Sequence, residues 1–187
     1  QARREAERMA AEQAAEAAER ARAEAQSRSA GLGYIVLPPI ADDVQPEGRL
    51  DLPDMDEDLL EIFVQEGSDI LDHSDGLIAR LREAPQDRDI VTGMQRDLHT
   101  LKGGARMAGL APIGDLSHAM ESLLEAITEG RRGMDRATVE SFERGYDRLH
   151  ALVQRIAKRQ AIAMPENAIA RFEALVSGDL SGQLAAA

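Results

Sequence analysis

The 187-residue chain has no cysteine, no tryptophan, and only three phenylalanines and two tyrosines. Without cysteine it can form neither a disulfide framework nor a thiolate metal site, and a cytosolic setting is natural. With aromatics at 3%, the core must rest on Leu, Ile, Val, Met and Ala, a composition that suits packed helices. No apolar run approaches the length that spans a bilayer, and no signal peptide is evident, so membrane insertion is not expected. Positive charge is also scarce. Lys and Arg number 22 against 34 Asp and Glu, a net charge of −12, which argues against binding nucleic acid or an anionic membrane through a broad field. Beginning with Gln1 rather than Met, the chain reads as one domain with appendages, cut from something larger.

Residues 1–30 are mostly Ala, Glu, Arg and Gln, with acid and base interleaved. These residues favour helix, and opposite charges one turn apart add small increments. Met9 is the only large apolar residue before Ser27, so the segment reads as a helical spacer, with a coiled-coil seam the weaker alternative. Residues 31–52 read as an extended linker containing Tyr34-Ile35-Val36-Leu37 closed by Pro38-Pro39. The bundle is expected over 53–180, with 181–187 a tail. Its first helix should start near Pro53 and end before Pro85, burying Leu59/Leu60, Phe63, Ile70/Leu71, Leu77/Ile78 and Leu81. His73 falls off that stripe and should be solvated. A second helix should run from Asp87 to Ala108 and a third from Ile113 to Glu129, stopped by Gly130. The fourth should be capped by Asp135 and bury Val139, Phe142, Tyr146, Leu149, Val153 and Ile156. His150 lies near its polar side with no assigned role. A fifth helix, Pro165 to Val176 with Gly178 behind it, can bury Ile169, Phe172 and Val176. The expected fold is all-α, an antiparallel four-helix bundle with an additional C-terminal helix and an N-terminal helical spacer. No β-sheet is needed.

The most informative stretch is Asp97-Leu98-His99-Thr100-Leu101-Lys102-Gly103-Gly104-Ala105-Arg106-Met107-Ala108-Gly109-Leu110. Val91, Met94, Leu98, Leu101, Ala105 and Ala108 recur every three or four residues, the seam of a bundle helix. Gln95, His99, Lys102 and Arg106 keep the same rhythm on the adjoining flank. His99 is thereby set off the apolar seam, open to solvent. Gly103 sits one turn above it, where a larger side chain would lean back over the ring. Lys-Gly-Gly could instead close a helix, but the seam continues through Ala105 and Ala108. Two glycines inside a helix each cost about 1 kcal/mol relative to alanine, and close approach of a partner surface would offset that cost.

The third helix opens with Asp115-Leu116-Ser117-His118-Ala119-Met120-Glu121 and carries Leu116, Met120, Leu123, Leu124 and Ile127 on its apolar side. His118 and Glu121 share a different stripe. A short loop around Gly109 to Gly114 makes the second and third helices antiparallel neighbours, so Glu121 could reach His99. A carboxylate accepting from Nδ1–H fixes the tautomer and leaves Nε2 a neutral nucleophile. Lys102, and Arg106 beyond it, could neutralise arriving phosphoryl oxygens. Taken singly, Glu121 and His118 are equally readable as surface residues.

Met55 to Ile127 resembles a histidine phosphotransfer (HPt) domain, through His-Thr-Leu-Lys-Gly at 99–103 and the preceding helix Leu59-Leu60-Glu61-Ile62-Phe63-Val64-Gln65-Glu66. More narrowly it resembles the phosphoacceptor domain of CheA-like chemotaxis kinases, which pair the phosphorylated histidine with a lysine one turn on. In that subgroup a histidine and a glutamate follow on the next helix, and His99, Lys102, His118 and Glu121 stand at the matching spacing. The wording Gly-Gly-Ala-Arg-Met-Ala-Gly-Leu is most similar to hybrid kinases of the ChpA and PilL type, from chemotaxis-like systems controlling type IV pili and twitching motility. Arg106 departs from the small residue many such domains carry, which would either restrict docking or simply add charge.

The resemblance implies that His99 is the phosphoacceptor, Glu121 its Nδ1 partner, Lys102 a charge for the phosphate and His118 a residue behind them. Gln95, Gly103 and Arg106 would face docking partners. Those partners would be a histidine kinase ATP-binding domain and response-regulator receiver domains. The chain has no Gly-rich phosphate loop, no pattern of a histidine-kinase ATP site and no acidic cluster like a receiver's magnesium pocket. It should need no cofactor or metal of its own, ATP and magnesium belonging to the partner domains. It reads as a phosphocarrier rather than an enzyme, part of a hybrid sensor kinase. The alternatives are an HPt-like docking module that never carries phosphate and, less well supported, a metal enzyme using histidine and carboxylates.

Overall fold

The computed structural model describes residues 43–52 and 56–178. Five helices account for most of them: α1 (Glu57–Glu83), α2 (Arg88–Met107), α3 (Ala111–Thr128), α4 (Arg136–Ala157) and α5 (Glu166–Ser177). Three begin at an aspartate whose carboxylate accepts from first-turn amides: Asp56, Asp87 and Asp135. Each cap satisfies N–H groups that the helix itself leaves unpaired. The spacer, the linker before residue 43 and the tail lie outside the described residues.

The cross-helix pairs run in opposite directions along the chain. Leu77 meets Gly93, His73 meets Asp97, and Phe63 meets Gly104, so α1 and α2 are antiparallel. His99 with Glu121 and Arg106 with Gly114 show the same for α2 and α3. Asp75 with His150 and Arg82 with Glu143 place α4 antiparallel on the other flank of α1. The fold is an all-α bundle closed by α1 to α4, and α5 packs mainly along α3 and α4. Among the described residues the sole β pairing is one antiparallel bridge between Arg49 and Gln160. No described helix is long and apolar enough to cross a membrane.

The core follows the expected seams closely. Leu60, Phe63, Leu71, Leu77, Ile78 and Leu81 of α1 are buried, as are Val91, Met94, Leu98, Leu101 and Ala105 of α2. Every expected α4 position is buried, and on α5 Phe172 is buried while Ile169 and Val176 are half-covered. Phe142 and Phe172 pack with ring centroids 5.5 Å apart. Close approach of helices depends on small residues. At Gly145 a Cβ would lie 2.8 Å from Phe172 and 2.9 Å from Met120, so no larger residue fits without repacking.

The turn between α2 and α3 is tighter than the sequence suggested. It spans only three residues, and Gly114 lies inside α3 rather than in the loop. Gly109 takes φ +73°, a left-handed conformation natural to glycine, and the Leu110 amide reaches back to the Ala105 carbonyl at 2.8 Å. Pro112 falls in the first turn of α3, where a missing N–H costs nothing. This turn delivers α3 against α2 at the level of His99.

Candidate functional site

The seam of α2 turns Leu98 and Leu101 into the core and leaves His99 on the flank, its side chain 71% exposed. Glu121 reaches it from α3, where the carboxylate is nearly covered at 10% exposure. His99 Nδ1 and Glu121 Oε1 are 2.9 Å apart. An ionised carboxylate can only accept, so Nδ1 carries the proton and Nε2 keeps its lone pair facing solvent. Lys102, one turn after His99, donates its ammonium to the other oxygen, Oε2. Burial pushes the Glu121 carboxyl up, but the hydrogen bonds and charges of Lys102 and His99 outweigh it and hold the group below its ordinary value.

His118 lies at the edge of this group. Its Nδ1 is 4.0 Å from Glu121 Oε2, an ion-pair distance beyond hydrogen-bond reach. It also borders a groove between α3 and α5 with Asp115, Met164 and Ile169 among its lining residues. The structure therefore brings His99, Lys102 and Glu121 into direct contact and leaves His118 outside.

The three positions expected to face partners are on one flank of α2, with Gly103 and Arg106 exposed and Gln95 half-buried. The two glycines are not equivalent. A Cβ at Gly103 would meet nothing within 4 Å, whereas one at Gly104 would lie 3.3 Å from the Phe63 ring. Packing explains Gly104, while nothing among the described residues requires Gly103 to be small. Met107, one turn beyond Gly103, exposes 74% of its surface and was not singled out from sequence. An exposed thioether beside an open glycine makes an adaptable apolar contact point. Gly114, named from sequence only as the end of a loop, is a close-approach position: a Cβ there would be 3.4 Å from Arg106 Cγ and 3.9 Å from the Lys102 carbonyl oxygen.

His73 corrects the sequence reading. It is half-exposed, as a residue off the apolar stripe should be, but it is not merely solvated. Its Nδ1 is 2.6 Å from Oδ2 of Asp97, a carboxylate only 9% exposed, and the Ser74 hydroxyl donates to the same oxygen at 3.2 Å. The signal was a gap: Ser74 occupies the seam position between Leu71 and Leu77, and Asp97 falls three residues after Met94 on the inward side of α2. Tyr146, fully buried on α4, has its hydroxyl pushed up by burial, opposed by Ser74 and reinforced by Asp97 and Asp75. His150 is also engaged, with Nε2 3.1 Å from Asp75 Oδ1. Asp72, Asp75 and His150 bring donor atoms within 4.8 Å of one another across α1 and α4.

Residues 58–176 match the Hpt domain family. Over 123 residues the chain is 27% identical to the chemotaxis protein CheA of Listeria monocytogenes, covering 65% of this chain and 20% of that protein. Over 43 residues it is 56% identical to a gliding motility regulatory protein of Myxococcus xanthus, covering 23% of this chain and 6% of that protein. The chain thus spans a fifth or less of the length of these curated relatives. The phosphorylated P1 domain of CheA3, solved in complex with CheY6 from R. sphaeroides, shares the fold at a TM-score of 0.59 and 21% identity. That likeness covers 66% of this chain and 98% of the other. Because the family match runs from the first turn of α1 to the last turn of α5, the chain belongs to the Hpt family of histidine phosphotransfer domains.

Proposed function

We propose that His99 is the phosphorylated residue, charged by the ATP-binding domain of a histidine kinase and discharged to the aspartate of a response-regulator receiver. The observation that carries this reading is the exposed His99 ring held through Nδ1 by the nearly buried Glu121 carboxylate. Nε2 attacks the γ-phosphorus presented by the kinase domain, the N–P bond forms and ADP leaves. The ring gains positive charge in that step, and Glu121 offsets it through the shared Nδ1 proton. Lys102 spends one of its three N–H donors on Glu121, leaving two for the phosphoryl oxygens. Transfer onward reverses the polarity, with the receiver's carboxylate attacking phosphorus and the imidazole leaving.

Gln95, Gly103, Arg106 and the exposed Met107 form the flank against which both partners dock, and His118 tunes the site from its edge. The phosphotransfer unit is 53–180, preceded by a spacer at 1–30 and a linker at 31–52 whose described residues 43–52 already pair with the bundle at Arg49–Gln160, and followed by a tail at 181–187, within a cytoplasmic hybrid kinase. Local identity to a gliding motility regulator supports a chemotaxis-like pathway for surface motility, such as type IV pilus twitching under kinases of the ChpA and PilL type.

Incubation with a CheA-type kinase core and ATP should give acid-labile, alkali-stable phosphate that a receiver domain removes. His99→Gln should abolish it with the fold intact. A wild-type protein that binds both partners yet takes up no phosphate would make this a docking module instead.

A further inference from the structure

The four histidines differ in what holds each ring. His150 has Nε2 engaged by the exposed carboxylate of Asp75. His118 Nδ1 stands 4.0 Å from Glu121, the nearest acid among the described residues. His99 and His73 alone combine a ring more than half exposed with Nδ1 held by a carboxylate at 10% exposure or less. In both, the acid comes from the neighbouring antiparallel helix and accepts a second hydrogen bond, from Lys102 for Glu121 and from Ser74 for Asp97.

We propose that His73 is a second phosphoryl-accepting histidine, reacting through Nε2 with small phosphoramidate donors. Asp97, as a carboxylate, forces the proton onto Nδ1 just as Glu121 does, which leaves Nε2 nucleophilic. With phosphoramidate, the Nε2 lone pair forms the new N–P bond as the donor's P–N bond breaks. The donor nitrogen, already protonated in the zwitterion, departs as ammonia. The Nδ1 proton stays on the ring, and the Asp97 charge offsets the positive charge the ring has gained.

The surroundings set His73 below His99 in rate. No lysine completes its acid pair; the second donor to Asp97 is the neutral hydroxyl of Ser74. Asp72 flanks His73 in sequence, and Asp69 lies one turn before it on α1. These charges repel a phosphoryl dianion. His73 should therefore label more slowly than His99, by about tenfold on the value of one charge-assisted hydrogen bond, and faster than His118 or His150.

The test is treatment of the full chain with phosphoramidate, following acid-labile phosphate by 31P NMR and locating it by mass spectrometry. In His99→Gln the remaining label should sit on His73, and in the double variant with His73→Gln it should disappear. Asp97→Asn should slow His73 labelling at least tenfold while His118 is unchanged. Ser74→Ala, milder to the fold, should slow it less. Equal labelling of His73, His118 and His150, or none in His99→Gln, would overturn the proposal. Either result leaves the kinase-driven assignment of His99 standing, since that is read from loss of labelling in His99→Gln with ATP and kinase.

Discussion

Two histidines on this bundle share a construction and differ in their second partner. His99 and Glu121 lie at a rim where a lysine joins the carboxylate and the flank of α2 is left open at Gly103. His73 and Asp97 cross a seam, where Ser74 and the buried Tyr146 sit inside the packing. In both, a nearly buried acid holds Nδ1 of an exposed ring. Under the functions proposed above, cationic help and an open approach for a protein partner are what would separate a relay residue from a reactive side chain that also ties two helices together.

The largest expected contrast comes from removing each ring. His99→Gln should eliminate kinase-driven phosphorylation, while His73→Gln should leave it at the wild-type rate in a labelling time course. Loss in both would mean the kinase reads the whole face rather than one residue. Removing each acid should then separate rate from stability. Glu121→Ala should slow phosphorylation by about 10- to 100-fold through the freed tautomer, with the fold retained by circular dichroism. Asp97→Ala should leave kinase-driven labelling near normal per folded molecule but cost about 1–3 kcal/mol in denaturant unfolding, by stripping the buried Ser74 of its acceptor. His118→Ala should be milder than Glu121→Ala, since 4.0 Å is too long for a hydrogen bond to the carboxylate. The reverse order would exchange their roles.

Acidity offers a further contrast. The folded Glu121 is held below its ordinary value of 4.5, so its favourable contribution is fully present above that pH. It is lost as pH falls through the folded value. Wild type should therefore melt above Glu121→Gln at neutral pH, and the gap should begin to narrow below pH 4.5 and close as pH falls past the lower folded value. A gap that widened in acid would mean the carboxyl is protonated in the native state. The smallest effects concern the paired glycines. Gly103→Ala should raise stability by up to about 1 kcal/mol, because its Cβ enters open space and helix propensity improves. Gly104→Ala should gain less, since the Phe63 ring must yield. A bulky residue at Gly103 should leave unfolding nearly unchanged while blocking transfer.

The helices were legible because their seams are long and regular, and three of the five carry an aspartate cap. The His99 pair was legible because a histidine, a lysine and a downstream glutamate fall at helical spacings that an antiparallel turn brings together. His73 was not, because its partner is in a different helix and spacing along one helix says nothing of what lies opposite. Ser74 and Asp97 each looked like an imperfection in an apolar stripe, and only together do they make a site. Gly114 read as part of a loop because Gly109 alone reverses the chain, leaving the second glycine to let α3 close on α2.

The most direct test of the account is 15N NMR of histidine-labelled protein before and after phosphorylation by kinase and ATP. The His99 ring should be in the Nδ1–H tautomer beforehand, losing that preference in Glu121→Ala, and should show 15N–31P coupling at Nε2 afterwards. Coupling at Nδ1, or on a ring other than His99, would contradict it.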